Sequence, residues 1–236
     1  MTNGTKGRRR LGTWAKGLLL AGLGLGAAGI VAMSVSYVEL GREHPFFLEK
    51  QPLAHPDRWW VALVVHVPSA LFSLPACLLL LVNAVRLRFP RFHRWLGRVT
   101  GVVILGAVVP SGMYLAWFAT GGMAGTLGFW LTGVITFRSM VQSVRHARRR
   151  DYRAHRRHGL HVAGQLSVAV VSRVLLVGAE EVGLYDEWVY VAALWLPVLG
   201  SVVAVEAICG RLHRFVSRKG THHEQMATLA RLDPVR

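Results

Sequence analysis

Cysteine is scarce. The 236 residues hold two, Cys77 and Cys209, both inside apolar runs and neither in a CxxC pair. That pattern excludes a disulfide framework and a thiolate zinc site, and leaves both as small buried apolar residues. Charge is scarce as well, at 17% of residues, and acidic charge more so, with 12 Asp and Glu against 28 Lys and Arg. A soluble domain of this length covers its core with charge. Here 53% of residues are hydrophobic and the charges are clustered, which is the composition of a polytopic membrane protein. The net charge of +16 is spread between apolar runs instead of lying on one soluble domain. That excludes nucleic acid as the partner and points to the bilayer, with the anionic headgroups of its cytoplasmic face. There is no Gly-rich phosphate loop, no GxSxG elbow and no HExxH, so the common phosphate-binding, hydrolase and zinc-protease chemistries have no carrier. The sequence therefore assigns no reaction and leaves open whether the chain is an enzyme. Glu39, Glu43, Glu49 and Asp57 accompany His44 and His55 in one loop, in a spacing that matches no metal site. No metal is expected.

What is present is a series of long apolar runs. A spanning helix needs roughly 20 apolar residues, and six segments qualify, at about 13–37, 59–85, 95–119, 124–144, 159–184 and 188–210. The expected fold is all-α, a polytopic bundle of six spanning helices. A basic tail (1–12) precedes the membrane domain (13–210, core about 59–184), and a basic, partly disordered tail follows (211–236). The first run follows Lys6 and Arg8 to Arg10 but is too long for a signal peptide, so it reads as an uncleaved anchor. Gly22 and Gly26 within it stand in GxxxG spacing, which serves packing inside the chain or a homo-oligomer.

Loop charge sets the orientation. Lys and Arg number five up to residue 17, five in 86–98, seven in 145–157 and six after 210. On the opposite side stand three, Arg42, Lys50 and Arg58. Both termini are therefore expected in the cytoplasm, in a multi-pass protein of a bacterial inner membrane.

Ionisable groups inside spans are costly and commonly mark function. Here they are His66, Arg138, Arg173, Glu180, Glu181 and Glu206. Helical rise places His66, Arg173 and Glu180 in an outer cluster, and Arg138 opposite Glu206 nearer the cytoplasm, where a pair would offset the cost of each charge. His161 and Gln165, four residues apart, face one way nearby. Such groups either tie helices together or line a ligand site. Pro68 and Pro75 kink the second span close after His66, which suits a pocket or a packing bend.

The histidines raise haem binding. A b-type haem in a bundle needs two axial ligands at one depth on facing helices. His93 begins the third span, while His155, His158 and His161 lead into the fifth. His66 has no histidine at its level, and Met113 is the one alternative ligand there. His66, His93, His155 and His161 are the cofactor candidates, and haem b between the third and fifth spans is the sharpest form. The arginines of 88-RFPRFHRWLGR-98 and 145-RHARRRDYRAHRR-157 are topogenic, or hold an anion through bidentate forks. Arg94, Arg98, Arg156 and Arg157 are the candidates for that.

Several of these features occur together in one known family. The intramembrane His66, the FHRWLGR stretch with His93, Gly97 and Arg98, the following PSGMYLA, the basic AHRRHG with His155, and Arg173 resemble the DUF2306 family of predicted bacterial membrane proteins. The resemblance covers about half of the chain and implies a fold without a reaction. HRWLG also looks, more distantly, like the start of a helix in cytochrome b561-type bundles, where four consecutive helices each supply a ligand. The chain departs from that pattern in its fourth span, whose His146 stands only at the very end. One haem on the cytoplasmic side is what this likeness implies. A small transporter or lipid-handling protein built on the buried Arg and Glu groups, and a structural or assembly subunit, are the other readings.

Overall fold

A computed structural model of the chain describes residues 17, 21–32, 39–184 and 186–232, the last of them, from 211, as backbone. The tail expected at 1–12 and both ends of the first expected span lie outside the described residues. Those residues are helical, with no strand among them. In chain order the helices are α1 (Ala21–Ala32), α2 (Pro45–Glu49), α3 (Pro56–Leu81), α4 (Asn83–Arg88), α5 (Pro90–Val103), α6 (Val109–Ala116), α7 (Gly122–Arg148), α8 (Tyr152–Glu181) and α9 (Glu187–Leu232). A π-turn, Ile104–Val108, joins α5 to α6 into one rod.

Four rods are long and apolar enough to cross a membrane: Pro56–Leu81, Pro90–Ala116, Tyr152–Glu181 and Glu187–Gly210. The fourth expected span is α7. It has the length, 27 residues or about 40 Å, but not the apolarity. Arg138 and Gln142 lower it, together with a buried stripe of Gly125, Thr126, Gly128, Thr136, Ser139 and Ser143. Small residues let helix backbones approach closely at the cost of hydropathy. A Cβ on Gly128 would stand 2.7 Å from Leu194 of α9, and one on Gly133 3.0 Å from Met113 of α6. Of the first span Gly17 and α1 are described. The helix packs inside the chain: Gly26 sits against Val170 of α8, and Ala27 joins Leu74, Leu78 and Val170 in a buried cluster.

Helix starts fall earlier than the apolar runs. Pro90 is the first residue of α5, where a ring-fixed φ and a missing N–H cost nothing. RFPRFHRWLGR is therefore mostly helix, not a loop ahead of residue 95. Likewise α8 begins at Tyr152, capped by Asp151, whose carboxylate accepts from the Ala154 N–H at 3.0 Å. AHRRHG is thus its first turns. That hydrogen bond holds the Asp151 carboxyl below the usual carboxylate range. At the far end α9 continues as helix to Leu232, past the boundary expected at 210.

The interior proline of the α5–α6 rod shapes it. Pro110 has no N–H to give to the carbonyl four residues back, and its ring crowds that turn. The chain answers with the wider π-turn just before it. In α3, which carries Pro68 and Pro75, hydroxyls reach carbonyls near the first break: Ser69 donates to Val65 and His66, and Ser73 to Ser69.

Contacts sort the loops onto two ends. Lys50 donates to Thr120 at 2.8 Å, and Gly121 lies against Tyr190 and Val191. So the loops before α3, before α7 and before α9 share one end. The starts of α5 and α8 share the other, with the end of α7. Between them the core is built from Cys77, Ile104, Val108, Val109, Met140, Val162 and Ala163.

Candidate functional site

The basic end holds most of the candidate side chains. Arg150, with φ +61, turns the chain between α7 and α8, and this tight hairpin brings His155 back onto Ser143. The ring Nδ1 lies 2.9 Å from the Ser143 carbonyl and 3.0 Å from its hydroxyl. A carbonyl only accepts, so in the neutral ring Nδ1 carries the proton and Nε2 keeps its lone pair. On α5, His93 is half-buried, its Nδ1 is buried without a hydrogen-bond partner among the described residues, and it lies within electrostatic reach of His155. Two imidazoles on different helices are thus brought to one level, one of them held by a backbone acceptor. Ligating histidines are commonly oriented in that way.

A second group runs along α8. His158 stacks on His146 of α7, with ring centroids 5.4 Å apart and planes at 14°. His146 stands 3.2 Å from the Asp151 carboxylate, an ion-pair separation without hydrogen-bond geometry. The buried His161 lies beyond His158, at 6.5 Å between centroids. Its Nε2 is 2.8 Å from Glu206 Oε1 on α9, and Arg157 clamps the same carboxylate through Nε at 3.1 Å and Nη2 at 2.7 Å. Arg138 is therefore not the partner of Glu206. It stands exposed off the buried face of α7, near His158, while Arg157 and His161 on the adjoining α8 reach α9 directly. One turn on from His161, Gln165 is 1% exposed and donates to the Val198 carbonyl at 3.1 Å and the Ser201 hydroxyl at 2.8 Å. His161 and Gln165 share a face, as their spacing predicts.

The four arginines expected to gather an anion stand at the basic end, on α5 and α8. Arg94 and Arg98 are exposed on α5 and Arg156 on α8, while Arg157 is engaged by Glu206.

At the other end, His66 is held by partners that its sequence neighbourhood does not indicate. Its Nδ1 lies 3.1 Å from the Val108 carbonyl and 3.1 Å from the Ser111 hydroxyl. Gly112 makes room for the ring, since a Cβ there would stand 2.7 Å from Cε1 and 3.1 Å from Nδ1. The signal was the small pair Ser111–Gly112 behind Pro110, at the depth of His66. Arg173 comes within electrostatic reach of His66 and of Tyr190, but its guanidinium donates to its own helix, to Ala169 at 3.0 Å. Glu180 is exposed on α8 two turns further on. Met113 packs against Gly133. Among the described residues no group of three or more His, Cys, Asp and Glu could hold a metal ion.

His66, Glu206 and Gln165 are thus joined to neighbouring helices, and Nδ1 of His66 and of His155 each lies against a backbone carbonyl. No curated protein and no solved structure matches the chain. The family of predicted membrane proteins designated DUF2306 matches residues 63–209, a stretch that runs from within α3 into α9 and includes every helix around His66, His93 and His155. The chain belongs to that family.

Proposed function

We propose that this is a multi-pass protein of a bacterial inner membrane that binds haem b at its cytoplasmic end, between α5 and α8, where His93 and His155 are the residues that would hold it. The observation that carries the proposal is the His155 ring: its Nδ1 is committed to the Ser143 carbonyl, so in the neutral ring Nε2 offers a lone pair, and on α5 the Nδ1 of His93 has no hydrogen-bond partner among the described residues. His155 is the positioned ligand, and Ser143 holds its ring. His93 supplies the second donor, and the arginines around it, Arg86 included, favour anionic propionates. A haem there supplies one-electron chemistry whose potential the imidazoles tune.

Six spans and cytoplasmic termini belong to the same proposal. The pairing of loops at two ends supports them, because Lys and Arg crowd the end that carries the starts of α5 and α8. The absorbance spectrum of the purified protein tests the haem. A Soret band is expected, and its absence after haem supplementation would end this reading.

A second reading has its own observation. Glu206 with Arg157 and His161, and Gln165 with Val198 and Ser201, tie α8 to α9. These are bonds of the kind that hold helices together in lipid. On that reading the chain is an assembly subunit. His155→Ala would then lower its abundance without altering any spectrum.

A further inference from the structure

A groove of about 480 Å³ runs along the outside of the bundle between α3 and the π-turn region, within the size range of ligand sites. It is separate from the imidazoles at the opposite end. One wall is Val61, Ala62 and Val65 of α3, and the other is Gly106, Ala107 and Pro110. The trough exists because the second wall is built from small side chains where Pro110 forces the π-turn. A Cβ on Gly106 would meet nothing within 4 Å. The floor is apolar, and Val61 and Val65 remain 59% and 42% exposed. From Arg58 to Val65 the groove descends seven residues of α3, about 10 Å.

The mouth is charged in a particular way. Asp57 and Arg58 both border it. Asp57 is neutralised by Arg42 at 2.7 Å, whereas Arg58 makes no ion pair among the described residues. Tyr114 closes the same end from α6. An uncompensated guanidinium at the level of the headgroups stands above an apolar trough at the depth of acyl chains. This is complementary to an anionic amphiphile entering from the side.

The geometry points to a binding site for an anionic phospholipid of the leaflet at the Arg58 end, its phosphate on Arg58 and one acyl chain laid between Val61, Val65 and Gly106. The site is independent of the haem reading and stands or falls apart from it.

The test uses the full chain reconstituted in nanodiscs of mixed phosphatidylglycerol and phosphatidylcholine, released for native mass spectrometry. Retained phosphatidylglycerol in excess over its share of the bilayer is expected. Arg58→Gln should lower that excess about fivefold, the effect of one Arg at an anionic surface, and Arg58→Lys should restore most of it. Gly106→Leu, which fills the trough from one wall, and Val61→Trp, which fills it from the other, should each remove retained lipid of both kinds. Elution profile and thermal unfolding identify any variant that has failed to fold, and two independent fillings keep the trough testable. An unchanged lipid ratio in Arg58→Gln, retained lipid in both filled variants, or a groove covered by a second copy, seen as a dimer without lipid, would each overturn the site.

Discussion

His155 is held to Ser143 by two contacts from one ring nitrogen, 2.9 Å to the carbonyl and 3.0 Å to the hydroxyl. The carbonyl belongs to the backbone, so side-chain changes at residue 143 do not remove it. If the ring serves as a ligand, Ser143→Ala should leave the Soret band in place, because Nδ1 keeps its acceptor. His155→Ala and His93→Ala should each abolish it or shift it to a five-coordinate spectrum. A band that persists unshifted in both histidine variants would place any haem elsewhere.

The carboxylate of Glu206 serves two partners from α8, Arg157 and His161. The pair joins α8 to α9 at the basic end of the bundle, where an interhelical bond is worth ~1 kcal/mol. Glu206→Gln keeps an acceptor for both partners and should cost less than Glu206→Ala. A thermal-unfolding double-mutant cycle with Arg157→Gln checks this. A coupling indistinguishable from zero would mean that the clamp contributes no stability.

Gln165 is a different case, because it is sealed between α8 and α9 and satisfies the Val198 carbonyl and Ser201 with its amide. Its Oε1 has no hydrogen-bond partner among the described residues. Gln165→Leu removes that orphan and the two interhelical bonds with it, leaving the Val198 carbonyl to the Ser201 hydroxyl at 3.1 Å, and interhelical bonds of this kind are worth ~1 kcal/mol in lipid. A net destabilisation of about that size is expected in chemical unfolding. Net stabilisation would show that the orphaned oxygen costs more than the two bonds return.

Much of this architecture is legible in the sequence, for physical reasons that differ by element. Apolar length marks α3, α5 with α6, α8 and α9, because the bilayer requires it. Apolar length alone hides where α5 and α8 begin, since their first turns lie among arginines and are recognisable only from Pro90 and the Asp151 cap. The His161–Gln165 face followed from helical periodicity. The expected Arg138–Glu206 pair did not form, because depth along a helix is readable and rotation about its axis is not. Arg157, one helix over, faces α9 while Arg138 faces away. The link of His66 to Val108 and Ser111 depends on a π-turn that shifts residues after Ile104 around the axis, and 3.6-residue counting cannot anticipate such a shift.

Asp151 caps α8 through the Ala154 N–H, which lowers its carboxyl pKa from the ordinary ~3.9. A lowered carboxylate pKa stabilises the folded state above the unfolded pKa, and the contribution disappears as pH falls through the lowered value. The first turn of α8, with His155 on it, should therefore loosen in acid. Hydrogen exchange at Ala154, corrected for intrinsic rate, should accelerate below about pH 4 in the native chain and show no such step in Asp151→Asn, which caps without titrating. The same step in both would assign the acid transition to another group.

Gly112 of α6 lies directly against the His66 ring of α3, and the geometry predicts a coupled pair. A methyl at residue 112 would stand 2.7 Å from Cε1 of the ring and 3.1 Å from Nδ1. The ring would have to move and give up Val108 and Ser111. Overpacking of this kind costs about 1–3 kcal/mol. Gly112→Ala should destabilise the chain by that amount. In a His66→Ala background the same substitution should cost almost nothing, since the obstructing ring is gone. Thermal or chemical unfolding of the four proteins of the cycle measures the difference. Additive effects would mean that the ring yields without loss, and that the hydrogen bonds of His66 to the π-turn contribute nothing to holding α3 against α6.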